Sequence, residues 1–67
     1  MEQRFEIGKR YKPLGKDYWC EVVDVYRTYN SKGELVSLRY VTTHEFCKQM
    51  VTDYSVTDTT IARGQHE

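Results

Sequence analysis

An all-β fold, four to five short antiparallel strands in a single domain, is what the sequence predicts, and three observations carry the prediction. Two stretches rich in Val, Thr and aromatic residues, Tyr18–Tyr29 and Glu34–Thr43, fit a pleated, half-buried surface better than a helix. Between them stands Asn30-Ser31-Lys32-Gly33, in which Asn and Ser open a turn and Gly accepts the positive φ that closes it. Finally, the chain has only 67 residues. So short a chain buries about 60% of its unfolded surface, and it can bury both faces of a sheet only by curling the sheet over itself. The expected architecture is therefore a small barrel.

Each element follows in chain order. Phe5, Ile7 and Tyr11 alternate around Gly8 and Lys9 and predict a first strand. Pro13-Leu14-Gly15-Lys16-Asp17 then breaks regular structure into a loop. The strand 18–29 is apolar on both faces, with Trp19, Val23, Val25 and Tyr29 on one and Tyr18, Cys20, Val22 and Tyr26 on the other. In the next strand Val36, Leu38 and Tyr40 share a face. Residues 43–52 read two ways. Phe46, Cys47, Met50 and Val51 have helical spacing, and Thr42 with Glu45 suits a capping box, which would give one short helical turn. The Thr, Val and Tyr residues crowding both sides favour instead the end of a long strand, a turn near Lys48-Gln49 and a short strand around Met50–Asp53. Thr57–Ala62 is β-prone and is expected to close the barrel. The ordered core is expected to span about residues 5–62, with 63–67 a flexible tail.

This order of elements resembles the small SH3-like barrels of the KOW and Tudor types. They begin with a strand patterned like Phe5-Glu6-Ile7-Gly8-Lys9-Arg10-Tyr11, followed by a loop, a long central hairpin and short final strands. The chain also looks like the small open reading frames of tailed phages and prophages. Neither resemblance brings a catalytic residue with it.

Charge bounds the partners. Ten Lys and Arg balance ten Asp and Glu, so the formal net charge is zero. The basic excess that drives phosphate neutralisation in nucleic-acid binders is missing overall. It is present locally, because residues 1–16 sum to plus three and residues 44–67 to minus two. No apolar run approaches the roughly 18 residues needed to span a bilayer, and the N-terminus lacks a signal-peptide core. With Cys20 and Cys47 far apart and in no CxxC pair, the expectation is a cytoplasmic protein with reduced thiols.

The site chemistry is sparse. His44, Cys47, Cys20 and His66 are the soft ligands, but a structural metal site normally shows two close ligand pairs, and none is predicted here. Cys47 and His44 lie three apart, which on a strand puts them on opposite faces, and no third residue is evident to orient the imidazole. There is no GxSxG, HExxH or phosphate-cradling glycine loop, so neither enzyme activity nor a cofactor is expected. The aromatic surplus is the positive signal. Tyr11, Tyr18 and Trp19 lie near Lys9, Arg10, Lys12 and Lys16, and aromatics beside cations form binding faces. The same residues equally suit a Trp19 that caps a barrel whose rim the tyrosines shield. The leading expectation is a non-enzymatic module that binds a protein through an aromatic face or strand edge, or a second copy through the doubly apolar strand. Nucleic-acid binding by the basic, aromatic N-terminal third is the first alternative, and a small metal-binding protein or enzyme is the least favoured one.

Overall fold

A computed structural model of the chain describes residues 3–67. It contains β1 (Arg10–Lys12), β2 (Cys20–Tyr29), β3 (Leu35–Phe46), β4 (Gln49–Val56), the helix α1 (Asp58–Arg63) and β5 (Gln65–His66). The strands form one antiparallel sheet in the order β4-β3-β2-β1-β5. The mostly-β expectation holds, but the sheet is open: β4 and β5 are its two edges and do not pair, so there is no closed barrel.

The central hairpin forms where the turn signature places it. The Asn30 N–H donates to the Glu34 carbonyl at 2.9 Å, and the Gly33 N–H donates to the Asn30 carbonyl at 3.0 Å with Gly33 at φ +82°. The Asn30 side-chain oxygen accepts from the Lys32 and Glu34 N–H groups. The second hairpin has no such signature. Cys47 and Lys48 both take positive φ, 52° and 64°, and join Phe46 to its partner Gln49 as a two-residue turn. The expected turn near Lys48-Gln49 is thus one residue early, β4 is longer than the predicted 50–53, and residues 43–52 contain no helical turn.

Bulges rewrite the predicted faces. Val22 pairs with Thr42 but Asp24 with Val41, so Val23 is an extra residue in β2, and the Asp24 carboxylate accepts the Val25 N–H at 2.8 Å. Val23 is therefore turned out, 37% exposed, while Val25 packs against the same core as Cys20 and Val22. A second shift does the same to Val36, which is exposed, whereas Leu38 and Tyr40 are buried. In β4 a third bulge lies between Asp53 and Val56, and the Asp53 carboxylate accepts from both the backbone and the hydroxyl of Ser55 at 3.1 Å.

The helix lies where a closing strand was expected. Thr57 is its N-cap, extended at φ −106°, ψ 166°, with its hydroxyl accepting the Thr60 N–H. Asp58 sits in the first turn and Arg63 in the last, each suiting the helix dipole. The physical demand is topological, since the chain leaves β4 at one edge and must reach β5 at the other, about 19 Å away at 4.8 Å per strand. Crossing over the sheet, α1 buries Ile61 completely against it. Residues 63–67, expected to fray, include β5, in which Lys12 pairs with Gln65 and Tyr11 with His66.

The N-terminal segment is largely turn. Only Arg10–Lys12 is strand, because Gly8 at φ +95° bends the chain and donates to the Val22 carbonyl. The Tyr40 hydroxyl accepts the N–H groups of Arg4 and Phe5, and the Phe5 ring packs edge-on to Tyr40 and stacks on His66. The core is Tyr11, Cys20, Val22, Leu38, Tyr40, Val56 and Ile61. On β3 it sits at Leu38 and Tyr40, between the two hairpin turns of an extended body: the extents are 42 × 22 × 19 Å and the radius of gyration is 12.7 Å, against about 11 Å for a compact chain of this length.

Candidate functional site

Strand alternation separates the residues that the sequence groups together. Tyr11 is fully buried on the core face of β1. Tyr18 is half-buried on the same face and stacks on His44 with ring centroids 4.2 Å apart and planes 16° apart. Trp19, one residue on, is 38% exposed and lines a shallow outer groove of about 250 Å³ with Arg10, Glu21, Glu45 and Met50. Arg10 is ion-paired with Glu67 at 3.3 Å. Lys9 borders a different depression, formed with Arg4, Phe5, Glu6 and His66. Lys12 and Lys16 line a third, beside Arg63. Tyr11, Lys16 and Tyr18 do line one cavity together, but the seven predicted residues as a set share no single surface.

Two features escape the sequence reading. One is a cavity of about 170 Å³ on the core face, whose lining includes Tyr11, Lys16, Tyr18, Cys20, His44 and Asp53. Its chemistry is quiet. Burial pushes the Tyr11 phenol up to about 12, although a hydrogen bond with Thr42 pulls the other way. Burial also raises the Cys20 thiol, against the hydrogen bond it shares with Tyr11, and raises the Tyr18 phenol. All three stay protonated at neutral pH, and a protonated thiol is a poor nucleophile. Cys47 stands exposed in the β3–β4 turn while His44 is held by Tyr18. Among the described residues no group of three or more His, Cys, Asp or Glu could hold a metal ion.

The other feature is the outer edge of β4. Eight residues, Gln49–Val56, run along it with no neighbouring strand, and all but Val56 are exposed. Met50 and Tyr54 are 68% and 67% exposed, and Asp53 is the strand's single charge. The edge adjoins the Trp19 groove, because Glu45 pairs with Met50 and cross-strand partners share a face. No proline, whose missing N–H would blunt an edge, interrupts it. The sequence does contain this segment as a strand. Its position at the border of the sheet is a matter of strand order, which no local pattern encodes.

A search of protein-family models, of curated proteins and of solved structures finds no match to this chain. Its class is accordingly defined by its own geometry: among the described residues, a small open antiparallel sheet crossed by a short helix, with the eight-residue strand β4 at one edge. No helix among the described residues is long and apolar enough to cross a membrane.

Proposed function

We propose that this chain is a non-catalytic cytoplasmic binding module that takes an extended segment of a protein partner along the free edge of β4. The supporting observation is that edge itself, eight residues long with Asp53 as its single charge, whereas the opposite outermost strand has two residues and the part of β2 that extends beyond β1, Val23–Tyr29, carries both Asp24 and Arg27. Unpaired N–H and C=O groups on such an edge are a template for strand addition, with alternate side chains of the added segment entering neighbouring depressions. The Trp19–Met50 groove is one such depression. The accessible surface also supports the reading, at 5054 Å² against about 4,450 Å² for a globular chain of 8.0 kDa. The segment recognised is β-prone and apolar, and it carries no acid opposite Asp53.

Isolation of the partner from the source cell, followed by hydrogen exchange on the reconstituted complex, tests this. Protection of amides within Gln49–Asp53 is the expected result. Protection confined to residues 9–19, or binding to oligonucleotides that weakens steeply with salt, would replace the reading with nucleic-acid recognition. Protection of the same β4 amides by concentration alone, with a doubled mass, would make a second copy the occupant.

A further inference from the structure

A second site lies at the opposite border of the sheet. Pro13–Lys16 closes as a turn, with the Lys16 N–H donating to the Pro13 carbonyl at 3.1 Å and Gly15 at φ +78°. Across from it the chain leaves α1 through Arg63-Gly64-Gln65, and Gln65 pairs with Lys12. The approach is close enough that a Cβ on Gly64 would collide with the Lys12 carbonyl oxygen, so only glycine lets the two segments meet. Between them is a small cavity of about 100 Å³ whose lining includes Lys12, Lys16, Arg63 and Gln65 and no carboxylate. The lysines and Arg63 are some fifty residues apart in sequence, so the fold itself assembles three cations there. Of the chain's other cations, Arg10 pairs with Glu67 and Arg27 donates to the Gln3 side-chain carbonyl. Among the described residues Lys12, Lys16 and Arg63 form no ion pair.

From this convergence we infer that the pocket binds a single phosphate-class dianion, free or as a terminal phosphomonoester. Three cations exceed what a carboxylate would neutralise, and a guanidinium beside ammonium groups and an amide is a donor set suited to tetrahedral oxyanions. The cavity admits one such group. The other N-terminal cations do not extend it into a track, since Arg10 and Lys9 line different depressions. A polyanion reading a line of phosphates is therefore the poorer fit.

Titration of the folded protein with inorganic phosphate, followed by amide NMR, is decisive. The expected result is saturable shifts at Gly15, Lys16, Gly64 and Gln65 that sodium chloride at matched ionic strength does not reproduce. Arg63→Gln and Lys16→Gln, both at exposed positions, should each weaken binding by about tenfold or more while leaving the β4 amides unmoved. Phenyl phosphate binding at least as well as phosphate would identify an esterified ligand, and phosphate binding alone would identify the free ion. Equal shifts with chloride, unchanged affinity in both variants, or an oligonucleotide footprint spreading to Lys9 and Trp19 would overturn the inference. None of these outcomes depends on what occupies β4.

Discussion

The two edges of the sheet are built on opposite plans. At one, β5 is only two residues long, its His66 lies under the Phe5 ring, the following Glu67 is tied to Arg10, and α1 precedes it with Ile61 buried in the core. At the other, β4 offers eight residues, seven of them exposed and one of them charged. Brevity and cover are ordinary ways of blunting a strand edge against association. β5 is short and tied down, whereas β4 is long and uncovered, and the proposed strand addition rests on that contrast.

The comparison can be broken most severely at Ile61. Ile61→Ala removes the one side chain by which α1 is buried, and it should cost about 2–5 kcal/mol in urea unfolding. A loss below 1 kcal/mol would mean that α1 does not secure this edge. Alkaline pH attacks the same region through Tyr11. Its pKa is raised in the fold, from 10.0 to about 12, because burial opposes the phenolate. The unfolded chain therefore gives up the proton first. The stabilisation is complete below pH 10 and is lost as the pH rises through about 12, a change of roughly 2–3 kcal/mol. Burial also raises the fully buried Tyr40 phenol, so tyrosinate absorbance should show two tyrosines, Tyr11 and Tyr40, ionising only as the fold is lost, and an early titration of all six would contradict the burial.

Gly64→Ala should be milder, at about 1–3 kcal/mol, since its Cβ must push β5 away from the Lys12 carbonyl. Hydrogen exchange at Lys12 and Gln65 should rise while the β2–β3 hairpin keeps its protection. Val51→Lys has the smallest expected effect on folding, within about 0.5 kcal/mol, because it adds a charge at an exposed edge position. It should nevertheless abolish partner binding along β4. Undiminished binding would show that the edge is not the docking surface.

The elements differed in how openly the sequence announced them. The β2–β3 hairpin was plain, because Asn30 and Gly33 carry the turn in their own chemistry and β-branched residues flank it. The β3–β4 turn was nearly silent: Cys47 and Lys48 are not residues that favour positive φ, and the pairing of Phe46 with Gln49 holds them there. Thr57–Ala62 misled, because Thr and Ile favour strands by propensity, whereas the need to cross the sheet and the Thr57 cap favour a helix. The face assignments failed at Val23 and Val36 for one reason, since a single bulged residue shifts every later side chain to the other face. Lys12 and Lys16 were identified as binding cations, but Arg63 was unreachable by any spacing argument, and Tyr11 proved to be core.

Taken alone, the sequence determined a small, mostly β protein with a central hairpin turned at Asn30–Gly33, because propensity and turn chemistry act over a few neighbouring residues. The tertiary structure decided that the sheet stays open, which strand lies at its border, which aromatics are buried, and which distant cations share a pocket. Strand order and bulge phase set these features, and both arise from contacts between residues tens of positions apart, whose cost and reward no local window contains.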